Sequence, residues 1–369
     1  MSRETGMSRE PWAHISKRDE IPFWKAWIIR LVAVGLSLVT CAIVIFALTK
    51  LNPIEVYKAI FSGAVGTSRR TWGTIRDSLV LLLIAIGLTP AFKMRFWNIG
   101  AEGQVLIGGV VTAAVMIYGG DSMSTGLMLI VMFAASIVAG MIWGLIPAFF
   151  KAYWNTNETL FTLMLNYVAM QIVTFCIVFW ENPTGSNTVG IINSASKAGW
   201  LPAIGGLTYG WNLIIVLTIT LAMYIYLKYS KQGYEIAVVG ESENTARYVG
   251  INVKKVIMRT MALSGGICGI AGFIIVSGAS HTISTSTAGG RGFTAIIVAW
   301  LSKFNAFAMI LVSFFLVFMQ KGAMQIASQF NLNENASDVI TGIILFFILG
   351  SEFFINYKVE LRGRRKGDR

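Results

Sequence analysis

The chain has 369 residues, of which 55% are hydrophobic and 13% are charged, and its mean hydropathy is +0.66. A soluble domain carries about a quarter charged residues, so this composition excludes an ordinary soluble protein and indicates an integral membrane protein. The formal net charge of +12 would suit a nucleic-acid binder, but the distribution of that charge along the chain argues against one.

Ten apolar runs approach the roughly 17 to 25 residues that a straight membrane-spanning helix needs. They cover residues 27–49, 78–92, 105–118, 126–150, 159–180, 211–227, 260–277, 293–302, 306–319 and 339–355. The first run follows a 26-residue polar leader and is too long for the apolar part of a signal peptide, so we expect it to stay in the membrane. The sequence predicts an all-α integral membrane protein of about ten transmembrane helices.

The basic residues orient these runs. If the N-terminus is cytosolic and the runs alternate in direction, the inner segments hold 22 of the 30 Lys and Arg residues. Such an excess on the inner side sets membrane topology, so we expect membrane lipid, and not nucleic acid, as its partner. The prediction is a cytosolic leader at 1–26, a membrane domain at 27–357 and a basic cytosolic tail at 358–369. Five of the eight outer charges lie at 50–76, where we expect an amphipathic surface helix.

Cysteine and histidine are too sparse to support catalysis or metal binding. Cys41, Cys176 and Cys268 lie within predicted spans at unrelated positions, and His14 and His281 fall on opposite sides of the predicted membrane. No disulfide framework, metal spacing or nucleophile–base constellation is visible, and the chain lacks the G-x-x-x-x-G-K-[ST] stretch of a P-loop. We therefore expect no metal, no cofactor and no enzymatic activity in this chain.

Two connections are long. The outer one, 181–210, is rich in Gly, Asn, Ser and Pro, which is typical of a cap, a re-entrant excursion or a plain flexible loop. The cytosolic one, 228–259, contains a helix-start signal at Glu241–Asn244, and Gly250 would end a short helix at 244–249. This second segment is either a solvated connector or a docking helix for a soluble partner.

The stretch FWNIGAEGQ places Asn98, Glu102 and Gln104 just inside the membrane, after the short run 78–92. Polar side chains at that depth usually face a cavity or a partner, and a short span followed by a glycine-interrupted one is typical of a discontinuous helix. We expect these residues and Asn166 to line a translocation pathway. The alternatives for Glu102 are that it pairs with Lys93 or Arg95 at the inner interface, or that it holds the broken helix through backbone N–H groups or Arg291. The alternative for Asn166 is a bond between helices.

A weak internal repeat points the same way. Gly100-Ala-Glu-Gly103 precedes one apolar run, and Gly289-Gly-Arg-Gly292 precedes the run five spans later. Asn157-Glu158 and Asn333-Glu334 are related by the same offset. An odd offset reverses direction through the membrane, which predicts an inverted repeat of five-helix halves. The spacings Gly140–Gly144 and Gly265–Gly269 indicate helix packing seams.

Four motifs together resemble the permease subunits of binding-protein-dependent ABC importers. They are FWNIGAEGQVLIGG, NETLFTLMLNYVA, GESENTARYVGINV and GGRGFTAIIVAWL, and the resemblance covers roughly residues 75 to 350. It is strongest to the branch that serves nucleosides and simple sugars of the ribose or galactose type, which is related to the branched-chain amino-acid permeases. The form NETLFTLMLNY and the long leader favour nucleosides.

The resemblance implies a multi-pass protein of the bacterial plasma membrane, with both termini cytosolic. It implies a second, related permease chain, two copies of an ATPase domain that hydrolyse the ATP, and an extracytoplasmic substrate-binding protein or lipoprotein. It also implies that part of 228–259 couples to the ATPase. The positions that match this coupling segment are Gly233, Glu235, Gly240, Asn244, Ala246, Arg247, Gly250 and Ile251.

One alternative from another class stays open at this point. A stand-alone secondary transporter would use Glu102 to carry a coupling proton and would need no ATPase. Such a carrier has no use for a coupling segment as long as 228–259. Retention of uptake by the chain without partner subunits would favour it.

Overall fold

The computed structural model describes residues 13–18, 22–49, 52–120, 122–330 and 334–361. Over these residues the chain forms thirteen α-helices and two short β-strands. It divides into two compact units, one made of residues 1–66 with 319–369 and the other of residues 67–318. Among the described residues the regular secondary structure is helical apart from one strand pair, so the prediction of an all-α membrane protein is confirmed.

The larger unit contains the helices that matter for the site. They are α3 (Ser68–Lys93), α4 (Ala101–Gly119), α5 (Thr125–Trp154), α6 (Glu158–Trp180), α7 (Gly210–Tyr229), α8 (Lys231–Glu241), α9 (Glu243–Tyr248), α10 (Val253–Ile275), α11 (Arg291–Leu301) and most of α12 (Ala306–Gln329). A five-residue π-helical turn, Val276–Ser280, continues α10. Helices α3, α4 and α10 are buried over most of their length and form the centre of this unit. Helices α5, α6 and α7 each bury a narrow stripe and expose apolar side chains elsewhere.

Small residues bring α5 and α10 together at the two glycine spacings for which the sequence predicted packing seams. A Cβ atom on Gly265 would meet the backbone oxygen of Gly140, and one on Gly144 would lie 2.7 Å from the oxygen of Met261. On the next turn, a Cβ on Gly269 would meet the oxygen of Ser136. In a bilayer the hydrophobic effect does not drive helices together, so close backbone approach of this kind supplies packing attraction. The prediction of a packing seam is confirmed.

The smaller unit contains β1 (Ala13–Lys17), α1 (Phe23–Thr49), α2 (Pro53–Val65), α13 (Glu334–Asn356) and β2 (Tyr357–Leu361). Helix α1 packs against α13, and Arg30 forms an ion pair with Glu352 at 2.6 Å. The two strands pair antiparallel, with Ala13 opposite Leu361 and Lys17 opposite Tyr357. This pairing joins the segments predicted as leader and tail, and the sequence did not predict it.

Among the described residues, nine helices are long and apolar enough to cross a membrane. They match nine of the ten predicted runs, and the tenth run corresponds to α11, which has only eleven residues. Helix α3 begins at Ser68, ten residues before its predicted run, and α2 is the separate helix expected within 50–76. The non-helical stretches before α4 and before the short α11 agree with the expected discontinuous helices.

The long loop between α6 and α7 is fixed to the end of α10. The indole of Trp200 stacks on the imidazole of His281, with ring centroids 3.7 Å apart and planes inclined by 4°. The backbone N–H of Ile192 donates to the oxygen of His281 at 2.8 Å, and the hydroxyl of Ser277 donates to the oxygen of Gly199 at 2.6 Å. Of the forms that the sequence left open for this loop, these contacts favour a cap or a re-entrant excursion over a plain flexible loop.

Candidate translocation site and coupling segment

The stretch that precedes α4 is held by its own polar side chains. The Oδ1 atom of Asn98 accepts a hydrogen bond from the backbone N–H of Gly100 at 3.0 Å. The Nδ2 group of Asn98 donates to Ser264 of α10 at 3.3 Å and to Oε1 of Gln104 at 3.4 Å. Asn98 is fully buried and Gln104 is 1% exposed. A buried amide of this kind loses free energy unless it is paired, so the contacts fix the backbone turn that starts α4.

Asn166 of α6 completes this arrangement from the other side. Its Nδ2 group donates to the backbone oxygen of Ile99 at 2.9 Å, and its Oδ1 atom accepts from the backbone N–H of Gly103 at 2.8 Å. Thr162, one turn earlier on α6, accepts from the N–H of Ile99 at 3.2 Å. The first-turn N–H groups of a helix have no partner within the helix, and Asn166 supplies one for α4. Asn166 therefore makes a bond between elements, one of the two roles that the sequence left open.

Glu102 lies at the start of two helices. It is in the first turn of α4, and its carboxylate accepts hydrogen bonds from the N–H groups of Gly290 and Gly292, at 2.7 and 2.8 Å, at the start of α11. The N-terminal end of a helix carries a partial positive charge and presents unpaired N–H groups, so both helices stabilise a carboxylate there. Since a Cβ on Gly292 would lie 2.8 Å from Oε2 of Glu102, only glycine fits.

The two echoed sequence motifs thus contact each other. Glu102 belongs to the first, GAEG, and its two hydrogen-bond donors belong to the second, GGRG. The contact with backbone N–H groups is one of the structural roles that the sequence suggested for Glu102, in place of an ion pair with Lys93 or Arg95. For the other echoed pair, Asn333 lies outside the described residues.

An ionic network that the sequence did not predict lies beside this contact. Asp77 of α3 accepts from the guanidinium of Arg76 at 2.9 Å, and Nη2 of Arg291 lies 3.7 Å from the same carboxylate oxygen. Arg76 also donates to the hydroxyl of Tyr209 at 3.3 Å. Asp77 is 5% exposed. The sequence did contain a signal for this network. Arg76 and Asp77 are adjacent and immediately precede the apolar run 78–92, and a charged pair beside a membrane span usually has a structural or functional role.

The predicted coupling segment contains two helices, although the sequence indicated only the second. Helix α8 packs its Ile236 and Val239 into an apolar cluster with Met94, Phe96 and Ile257. Ser230 caps α8 by accepting from the N–H of Gly233 at 2.9 Å. Glu235 forms an ion pair with Arg259 of α10 at 3.0 Å. Gly240 packs against the backbone of Lys93, where a Cβ would collide with the carbonyl oxygen.

Helix α9 covers Glu243–Tyr248, close to the predicted 244–249. Ser242 caps its start by accepting from the N–H of Thr245 at 3.2 Å. Gly250 ends it with φ of +82°, and the N–H of Ile251 donates back to the oxygen of Ala246 at 2.9 Å. This left-handed glycine after the last turn is the predicted helix stop.

One side of α9 is anchored and the other is open. Ala246 is fully buried, whereas Tyr248 is 93% exposed and Val249 is also exposed. Asn244 is exposed, and the ion pair between Glu243 and Arg247 at 3.3 Å lies on the surface, where such pairs contribute little. Tyr248, the last residue of α9, and Val249, the residue after it, thus leave two adjacent apolar side chains exposed at the end of an anchored helix.

Comparisons with known proteins agree with this architecture. The family model described as "Branched-chain amino acid transport system / permease component" matches residues 71–349. The chain is 26% identical over 367 residues to the glucose ABC transporter permease protein TsgB13 of Haloferax volcanii, which covers 96% of this chain and 95% of that protein.

Two further relatives come from a single organism, Bacillus subtilis. The guanosine ABC transporter permease protein NupP is 27% identical over 341 residues, covering 91% of this chain and 97% of that protein. The guanosine ABC transporter permease protein NupQ is 22% identical over 246 residues, covering 65% of this chain and 77% of that protein. Because the family model covers well over half of its length, this multi-pass membrane protein belongs to the family of transport-system permease components described for branched-chain amino acids.

Proposed function

We propose that this chain forms the translocation pathway of an ATP-driven importer for nucleosides. The observation that carries the proposal is the α8–α9 segment, because it is anchored to the membrane helices and yet presents an exposed surface. A stand-alone carrier has no need of such a segment. The relatives named as ABC transporter permeases, two of them for guanosine, support the same reading.

The segment is suited to transmit motion to the membrane helices. Helix α8 contacts the end of α3 through the close approach of Gly240 to Lys93, and it is tied to α10 through Glu235 and Arg259. A force applied at Tyr248 on α9 would therefore move both α3 and α10. We infer that each of two ATPase copies docks on one such surface and hydrolyses the ATP, while this chain provides the pore.

The assembly proposed here also contains a second permease chain and an extracytoplasmic binding protein or lipoprotein. Two different guanosine permease proteins of Bacillus subtilis resemble this chain, which supports a pair of related but different permeases. We place the assembly in a bacterial plasma membrane with both termini cytosolic. The charge asymmetry supports that orientation, and the β1–β2 pairing supports placing both ends on one side of the membrane.

The four polar residues predicted to line the pathway take a more specific role in this proposal. Asn98, Glu102, Gln104 and Asn166 are all buried and all bonded to protein groups. We propose that they hold the starts of α4 and α11 in place. The surfaces of those broken helices would then line the pathway, and the substrate would not contact the four side chains in the resting state.

Uptake by the assembled transporter tests the substrate class. The chain would be expressed with its partner permease, ATPase and binding protein in cells that lack their own nucleoside uptake, and supplied with labelled guanosine, ribose or glucose. We expect guanosine to enter fastest. Simple sugars are the second candidate, because the glucose permease protein TsgB13 aligns over 96% of this chain. Faster entry of glucose or ribose would establish that alternative.

The energy source separates an importer from a secondary transporter. Inactivation of the P-loop lysine of the partner ATPase should abolish uptake if ATP hydrolysis drives it. A proton ionophore applied for a short time, at constant ATP, should leave the initial rate unchanged. Uptake that survives the first treatment and stops with the second would establish the secondary transporter.

A further inference from the structure

A polar cavity of about 210 Å³ lies between α3, the end of α10 and the start of α11. It is large enough for about seven waters, given the roughly 30 Å³ that one water occupies in the liquid. Buried Val80 and Ile275 line its depth, whereas Ser280 and Ser286, which also line it, are exposed. The cavity is therefore open toward the surface formed by residues 280–287, which the predicted topology places on the outer side.

The wall of the cavity is a fixed network. Asp77 accepts from Arg76 at 2.9 Å and lies 3.7 Å from Arg291. The hydroxyls of Ser284, Ser286 and Thr287 form a connected group, with oxygen–oxygen distances of 3.1 and 3.3 Å from Ser284. Side chains held by one another in this way keep their donors and acceptors in place before a ligand arrives, which lowers the entropy lost on binding.

Both guanidinium groups of the cavity wall already face oxygen atoms of the protein. Arg76 donates to Asp77 at 2.9 Å and to the hydroxyl of Tyr209 at 3.3 Å, and Arg291 donates to the backbone oxygen of Thr287 at 3.4 Å and lies 3.7 Å from Asp77. A site for a phosphate or a carboxylate would direct such cations at the anion and would not place a carboxylate between them. A wall whose cations are held around Asp77 and that is rich in hydroxyls instead matches a neutral ligand that carries hydroxyls of its own.

We propose that this cavity receives the hydroxyl-bearing ring of a neutral substrate, the pentose of a nucleoside or a whole simple sugar, as the substrate enters from the outer side. The inference rests on the proposed function and adds a site to it. Hydroxyl groups of the ring exchange hydrogen bonds with the Ser and Thr side chains and with Asp77. Arg291, which lines the cavity, lies between the two glycines that bind Glu102, so a bound substrate would lie next to the point where α4 and α11 meet.

Cysteine protection in the complete transporter tests the site. Ser284→Cys would be made in a background with Cys176→Ala, since Cys41 and Cys268 are buried. Thr285→Cys is the matched control, because Thr285 is exposed in the same loop and does not line the cavity. With loaded binding protein, and with guanosine or glucose at ten times the dissociation constant, labelling at Ser284→Cys should slow about tenfold by mass action. Labelling at the control should not change, and empty binding protein should protect neither position.

Transport provides the second measurement. Ser286→Leu places bulk at the mouth of the cavity and should raise KM several-fold, whereas Thr285→Leu should leave KM unchanged. Purification of the assembled complex from each variant confirms that it folds. Inorganic phosphate and guanosine 5′-monophosphate should protect neither cysteine.

The outcomes are distinct. Wild-type uptake of guanosine or glucose tests the proposed function by itself, and its complete absence overturns both proposals. If the wild type transports normally while Ser284→Cys is unprotected and Ser286→Leu behaves as Thr285→Leu does, the cavity is not a substrate site and the proposed function stands. Protection by inorganic phosphate would overturn the assignment to a neutral ligand.

Discussion

The backbone N–H of Gly292 donates a hydrogen bond to Oε2 of Glu102 at 2.8 Å, across 190 residues of sequence. Gly290 donates to the other carboxylate oxygen at 2.7 Å. One buried side chain thereby satisfies N–H groups at the start of α11 while it lies in the first turn of α4. A carboxylate suits this position better than any neutral group, because both helix ends favour negative charge.

The first prediction concerns Glu102→Gln. The amide NH₂ group would face one of the two glycine N–H groups, donor against donor, and leave a buried group unpaired at about 1–3 kcal/mol. We expect a lower midpoint of thermal unfolding in detergent and lower expression. Glu181→Gln is the control, because Glu181 also accepts two backbone N–H bonds, at 2.8 and 3.2 Å, but in an exposed loop. Unchanged stability of Glu102→Gln with slower transport would indicate contact with substrate instead.

The second prediction concerns the glycine seam. Gly265→Ala places a methyl group against the backbone oxygen of Gly140, and neither helix backbone can move without disturbing its own packing. We expect destabilisation of about 1–3 kcal/mol, as for other overpacked sites. Gly73→Ala in α3 is the control, since nothing lies within 4 Å of its Cβ, and it should be neutral or stabilising by up to about 1 kcal/mol. Equal midpoints of thermal unfolding for the two variants in detergent would contradict a close-packed seam.

The third prediction concerns the end of α9. Gly250 has φ of +82°, which a β-branched residue adopts only with strain of about 1 kcal/mol or more. Gly250→Val should therefore displace α9 and reduce substrate-stimulated ATPase activity of the complex, with unchanged membrane insertion. Gly250→Asn should lose much less activity, because asparagine tolerates this conformation best among the other residues. Full coupling in the valine variant would favour a plain connector.

The fourth prediction concerns pH and the outer loop. Burial lowers the pKa of His281 from its ordinary 6.5, and the charge of Arg76 adds to this, while the nearby backbone of Val276 and Ser277 opposes it. Because the unfolded loop takes up a proton more readily than the folded one, the contribution to stability is lost as the pH falls below 6.5. The protection factors of residues 181–209 in hydrogen exchange, which correct for the slower intrinsic exchange of amides at lower pH, should therefore fall on acidification. The acid effect should disappear in His281→Phe, which keeps a ring for Trp200 but cannot titrate. An equal acid effect in that variant would exclude His281 as the cause.

The fifth prediction concerns orientation. A single cysteine at Ser242 should be blocked to impermeant reagents in intact cells, and one at Ser194 should react, because the basic residues concentrate on the side of Ser242. Permeabilised cells provide the control, since both positions should then react. Labelling of Ser242→Cys in intact cells would reverse the topology.

The sequence by itself determined that the chain lies in a membrane, which segments span that membrane and where α9 ends. The membrane location and the approximate positions of the helices follow from the lengths of the apolar runs. Every span must cross the same bilayer thickness and must satisfy its own backbone hydrogen bonds. Gly250 was identifiable as a helix stop because the conformation there is local. The glycine spacings predicted packing seams for the same reason, although the helices that they join were not evident.

The tertiary structure decided which groups meet. Glu102 could have paired with Lys93, with Arg291 or with backbone N–H groups, and local sequence gives these partners no order of preference. The choice depends on how α11 enters beside α4, which is set by packing among α3, α4 and α10. The Asp77 network, the cavity beside it and the β1–β2 pair arise likewise from segments far apart in the chain. Such contacts leave no periodic signal, because periodicity reports only which face of a segment is buried and not what lies opposite.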